Sequence, residues 1–155
     1  AGTGALFGAR GLGNMIGPVV ALAIVGRSSR RILGSIGWAM TVWGVAYIFV
    51  GFSPTLLLAA AAVCVAHMGG GTQFTFSTYG LQELMPDDVR GRIFAHDFGI
   101  DMMAISISAL ILGALAQTIA IRPLLIGLGV VAIVFGLTWT VVTRPLWTDL
   151  RPVAE

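Results

Sequence analysis

Residues 69–101 read GGGTQFTFSTYGLQELMPDDVRGRIFAHDFGID, and this stretch holds most of the polar chemistry of a chain that is otherwise greasy. Its first half is rich in hydroxyls and amides, and residues 86–92 form a short charged turn. Its end opens a second apolar segment that already contains a His and two Asp. Polar side chains placed on apolar helices in this way imply a lined interior between helices, not a solvent-facing loop.

Outside that stretch the chain is dominated by apolar runs. Hydrophobic residues make up 57% of the 155 positions and charged residues 10%, with a mean hydropathy of +0.93, far from the makeup of a water-soluble domain. The length accommodates about five spans of about 20 residues with short connections. The apolar runs are continuous where barrel strands would alternate, which excludes a transmembrane β-barrel. The fold class expected is therefore all-α, a polytopic transmembrane helix bundle with spans at about 4–25, 32–52, 54–84, 93–117 and 123–143, and a tail at 144–155 on the cytoplasmic side. The chain opens without an initiator Met, a basic n-region or a cleavage site, so no signal peptide is read, and an odd span count is expected of the tail end of something longer. All nine basic residues are Arg, and Ala and Gly abound, in keeping with a GC-rich bacterial genome. Cys64 lies in an apolar run and reads as a small hydrophobe.

Each span has its own character. In the first, Gly4, Gly8, Gly11, Gly13 and Gly17 offer small faces for close helix approach, Pro18 is a bend candidate, and Arg10 and Asn14, candidates for lining a substrate path, share one face at a depth where a charge needs a partner. The second span is apolar all round and is expected to face lipid, as is the fifth. Pro54 is expected to begin the third span as its first helical residue. Gly69, Gly70 and Gly71 in that span read as a tight helix crossing ahead of a moving break. Beyond them Gln73, Thr75, Thr78, Tyr79 and Gln82 are candidates for lining a substrate path. Asp87 or Asp88 is placed to cap the fourth span. Within that span Asp97 and Asp101 lie one turn apart on one face.

These acids, with His67, are the proton-coupling candidates, since a carboxylate in a low dielectric can load and release a proton. Asp97 also reads as a headgroup-level acid paired with a turn Arg, and His67 as a hydrogen-bonded core residue. With the fourth span opening near residue 92, Asp101 lies about 14 Å up the axis, and several ångströms separate it from the level of Arg10. A direct Arg10–Asp101 bridge is therefore not expected. Arg27, Arg30, Arg31, Arg90, Arg92, Arg144 and Arg151 fall on one side of five alternating spans and Arg122 on the other, which assigns the Arg-rich side to the cytoplasm.

The turn LQELMPDDVRGRIFAHDFG at 81–99, the basic turn GRSSRR at 26–31 after a Gly-rich helix, and the polar helix between them resemble the carboxyl-terminal half of the major facilitator superfamily, with bacterial multidrug and siderophore exporters the nearest look-alikes. The resemblance covers nearly the whole chain. It implies that the five spans correspond to the eighth through twelfth helices of a twelve-helix secondary transporter. It further implies proton-coupled efflux of a small amphipathic substrate, an amino-terminal helical bundle as partner, and a bacterial inner-membrane location. Arg27, Arg30, Arg31, Asp88, Arg90 and Arg92 become candidates for gating turns. The family's signature loop, Gly-x-x-x-Asp-Arg-x-Gly-Arg-Arg, survives here only as Gly26 and the Arg cluster. The alternative is a truncated or split membrane protein that serves as a structural or partner subunit without transport. No nucleophile and base pair, metal-ligand spacing or phosphate-binding loop is present, so neither an enzyme, a metal nor a cofactor is expected, and no nucleic-acid partner.

Overall fold

The computed structural model describes residues 2–148; the expected tail beyond residue 148 lies outside the described residues. All described elements are helices: α1 (Gly2–Val25), a short α2 (Ser29–Gly34), α3 (Ile36–Phe52), α4 (Leu56–Leu84), α5 (Asp87–Leu115) and α6 (Ile121–Thr148). Five stretches are long and apolar enough to cross a membrane, with α2 and α3 counting as one. Helices are the form such sequences take in hydrocarbon, because each backbone N–H and C=O finds its partner inside its own segment.

The helix ends differ from the hydropathy limits. The third span begins at Leu56 and not at Pro54, because Thr55 takes the N-cap and its hydroxyl accepts a hydrogen bond from the Leu58 N–H at 3.3 Å. The fourth span begins at Asp87, six residues before residue 93. Pro86 occupies the cap position, and Asp87 and Asp88 stand in the first turn without a side-chain cap bond. They still suit the positive end of the helix dipole there. The fifth span runs to Thr148, so Arg144 and Pro145 belong to helix and not to a tail. Gly26, at φ +73°, closes α1 with its N–H bonded to the Leu22 carbonyl at 2.9 Å, the left-handed ending that glycine adopts without a Cβ penalty.

The helices form a row, α1 beside α4, α4 beside α3 and α3 beside α6. Glycine brings the backbones close in every seam. Gly37, Gly44 and Gly51 recur every seventh residue on α3 and meet Gly129, Gly136 and Ile126 on the antiparallel α6. A Cβ built on Gly44 would stand 2.5 Å from the Gly129 carbonyl oxygen, and one built on Gly129 the same distance from that of Gly44. Thr41 and Thr140 fold their hydroxyls back onto the carbonyls of Gly37 and Gly136, at 2.9 and 2.8 Å, so neither seam threonine leaves its donor unused. In the parallel α1–α4 seam Gly13 lies against the Cys64 carbonyl, Gly17 against Met68, and Gly71 against the backbone of Asn14.

Two expectations are settled here. Helix α4 runs unbroken through Gly69–Gly71, and these glycines serve close crossings, Gly69 against Ala39 and Trp43 and Gly71 against Asn14. The second span, expected to face lipid, instead lies between α4 and α6 and is the most buried of the five. Only part of its circumference, including Trp38, Val42, Val45 and Phe49, stays exposed. By contrast α5 buries no residue and meets the chain mainly at its junction with α4.

At one end of the row, Ile32, Leu33, Ile36 and Phe76 form the core, flanked by Ala21, Val25 and Tyr79. The Ser29 hydroxyl donates to Glu83 at 2.7 Å and accepts from the Tyr79 hydroxyl at 3.0 Å, tying the α1–α2 turn to the end of α4. Tyr79→Phe removes one of these bonds and is expected to lower unfolding stability in detergent by about 0.5–1.5 kcal/mol. An unchanged unfolding midpoint would show that the Ser29–Tyr79 bond contributes nothing.

Candidate functional site

The sequence-derived candidates divide into three groups. The first is a polar cluster deep in the row. The Tyr47 hydroxyl on α3 and His67 Nε2 on α4 lie 3.3 Å apart in hydrogen-bonding contact, and Trp43 packs its ring on Tyr47 with centroids 4.1 Å apart. The guanidinium of Arg10, on α1, is near enough to act electrostatically on both Tyr47 and His67. Asn14, one turn along α1 from Arg10, is held by the contact of its backbone with Gly71. Three helices thus deliver a cation, an imidazole and a phenol to one region of the row. Arg10 and Asn14 remain exposed, and among the described residues no acid pairs with Arg10, the one ion pair being Arg90–Asp87.

The second group is the polar half of α4. Thr75, Thr78 and Gln82 follow His67 and Gly71 at three- and four-residue steps and so share one side of the helix. Thr75 and Gln82 are exposed and Thr78 half-buried. Gln73, also half-buried, lies on a different side, and Tyr79 is engaged by Ser29. The five residues therefore do not form one surface. Asp97 and Asp101, with His96, stand exposed on α5, apart from the cluster.

The third group is the charged end. Arg27, Arg30 and Arg31 lie exposed around the α1–α2 connection, with the Arg31 guanidinium beside Gly26. Arg90 folds back over the α4–α5 connection, bonded to Asp87 at 2.7 Å and donating to the Met85 carbonyl at 3.0 Å. Asp88 and Arg92 are exposed. The Ser29–Glu83 bond and the contact of Gly37 with Thr140 bring this connection, the α4–α5 turn and the end of α6 to the same end of the row. Arg122 lies at the other end, its carbonyl close to Gly51.

Tyr47 is not among the candidates drawn from the sequence. The available signal was weak: Tyr47 and His67 lie twenty residues apart on different helices, and only the α3–α4 register joins them. One groove, of 680 Å³ between α3 and α4, is lined by apolar residues including Val42, Val45, Phe49, Leu58 and Val65. A second, of 310 Å³, lies among α1, α3 and α4. Neither includes Arg10, Tyr47 or His67, and both lack the convergent polar groups of a selective ligand site.

Set beside family models, curated proteins and solved structures, the chain matches none. Fold and cluster together define a class: an all-α, polytopic helix bundle with five helices long and apolar enough to cross a membrane and ionisable groups within those spans.

Proposed function

We propose that the chain is the last five helices of a major-facilitator-type secondary transporter of the bacterial inner membrane, exporting small amphipathic molecules in exchange for protons. The observation that carries this reading is the Arg10–Tyr47–His67 cluster. An ionisable group at such depth is kept where it meets protein, water or a permeating species, not bare lipid, and here it opens on a flank of α1 that no helix of the row covers. In this reading an amino-terminal bundle faces that flank, and alternating access is the rocking of the two bundles about a path between them. The turns carrying Arg27, Arg30, Arg31, Asp88, Arg90 and Arg92 would close its cytoplasmic mouth. Asp101, with Asp97 and His67 as the other coupling candidates, would carry the proton.

The test is flux through the complete transporter in everted membrane vesicles under an imposed pH gradient, with a panel of amphipathic dyes as probes. Asp101→Asn is expected to reduce gradient-driven flux to that of vesicles lacking the protein, while its amount in the membrane is unchanged. Undiminished flux would remove Asp101 from the coupling step. The bareness of α5 favours a second reading, a subunit whose fourth span docks on another membrane protein. Absent flux from the unsubstituted protein, together with its co-purification in a stable complex, would select it.

A further inference from the structure

The cluster on α1, α3 and α4 carries a single charge, and the sign of that charge limits what it can hold. Gly13 follows Arg10 by one turn on α1, and a Cβ built on it would stand 3.0 Å from the His67 Cβ, so Arg10 leaves its helix within a turn of the imidazole. His67 Nε2 meets the Tyr47 hydroxyl at 3.3 Å. Whichever of the two donates, one further hydrogen stays free, on His67 Nδ1 or on the Tyr47 oxygen. Trp43, one turn before Tyr47, lays its ring against the phenol, and Gly70 leaves room for the indole, since a Cβ there would stand 3.1 Å from Trp43 Cδ1. A cation, a spare donor and an aromatic wall therefore lie together.

No acid of the described chain balances that cation. Arg10 is exposed and makes no ion pair among the described residues. Helices α1 and α4 run side by side with Gly2 against Leu56, Gly13 against Cys64 and Gly17 against Met68. Arg10 is thus level with about Cys64, well before α4 ends at Leu84. Asp101 is fourteen residues into α5 from Asp87, which sets it roughly 9 Å nearer the Arg-rich end than Arg10. Asp97 lies nearer that end still, and Glu83, Asp87 and Asp88 stand at the turn itself. The charge that acts on both Tyr47 and His67 is that of Arg10 alone, and a positive field within a span is weakly screened.

We propose that Arg10, Tyr47, His67 and Trp43 form a recognition site for an organic carboxylate with an apolar body. The carboxylate lies on the Arg10 guanidinium, whose fork of N–H groups matches its two oxygens. The spare hydrogen of the Tyr47–His67 pair serves a further lone pair, and the body rests on the Trp43 side of α3. An Arg alone within a span is costly, so an arriving anion relieves a charge that the row leaves uncompensated. An amphiphile with a cationic head meets a like charge instead and is refused. The inference rests on the transport reading in so far as it narrows the exported molecules to anions; binding itself is measurable apart from flux.

Binding and flux, measured separately on the complete protein, test it. The probes share one naphthylalkyl body and end in a carboxylate, a carboxamide or a quaternary ammonium. Calorimetric titration of the detergent-solubilised protein at neutral pH is expected to rank them in that order, the carboxylate tighter than the carboxamide by about tenfold or more. Arg10→Lys should keep the order and Arg10→Gln should erase it, while Arg122→Gln, at the far end of the row, changes nothing. Equal affinity for the probes, preference for the ammonium, or a carboxylate preference that survives Arg10→Gln overturns the site. Gradient-driven flux in everted vesicles separates the site from the transport reading. A carboxylate that binds in this order but never crosses upholds the site and sinks transport, whereas flux that favours the ammonium upholds transport and sinks the site.

Discussion

Gly44→Ala is expected to part α3 from α6 and lower stability by about 1–3 kcal/mol, although it adds a single methyl group. The new Cβ would lie 2.5 Å from the Gly129 carbonyl oxygen and 2.9 Å from the Ile133 nitrogen. Those are backbone atoms, which cannot rotate away as a side chain can. The seam is also reciprocal, with Gly37 set against Gly136 in the same manner, so a shift that relieves one contact disturbs the other. In lipid this matters more than in water, since apolar helices gain little from leaving hydrocarbon and hold together by close packing. Gly127→Ala is the matched control: it lies on α6, the other helix of the seam, nothing stands within 4 Å of its Cβ, and alanine is the better helix former by about 1 kcal/mol. Titration of the solubilised protein with a denaturing detergent should therefore destabilise the first variant and leave the second equal or slightly more stable. Two variants that unfold together would mean that the α3–α6 seam is not a close glycine contact.

The same seam explains what could be read in the sequence and what could not. Five spans were legible because a run of about 20 apolar residues has few alternatives in a membrane. Their ends were less so. Hydropathy marks where polar residues begin, whereas the helix continues through polar positions such as Asp87, Asp88 and Arg90 until a cap or proline stops it. The uniform apolarity of residues 32–52 suggested a lipid-facing surface, but an apolar side chain is equally at home against lipid and against another helix. The discriminating feature was Gly37, Gly44 and Gly51 at intervals of seven, matched by Gly129 and Gly136, a long-range agreement that single-span reading overlooks. Arg10, Asn14 and His67 stood out because polar residues are rare in such helices. Tyr47 did not, since an aromatic with a polar tip is ordinary near membrane interfaces.

A cysteine at position 28 and one at position 117 are expected to report opposite sides of the membrane, the first cytoplasmic. Three spans, α3, α4 and α5, separate the two positions, and an odd number of crossings changes sides. Arg27, Arg30, Arg31, Arg90, Arg92 and Arg144 gather at the end that holds Ser28, whereas Arg122 alone lies at the end that holds Gln117. Short Arg-rich loops are retained in the cytoplasm during insertion, so the asymmetry sets the direction as well as the alternation. Both sites suit the probe: Ser28 and Gln117 are exposed, and Ser28 makes no side-chain cap bond to lose. In a Cys64→Ala background, a membrane-impermeant maleimide applied to intact cells should label Gln117→Cys fully. It should reach Ser28→Cys only after the membrane is permeabilised. The reverse pattern would invert the orientation and place the proposed gating turns on the outer side. Labelling of both from one side would break the alternation of the five crossings.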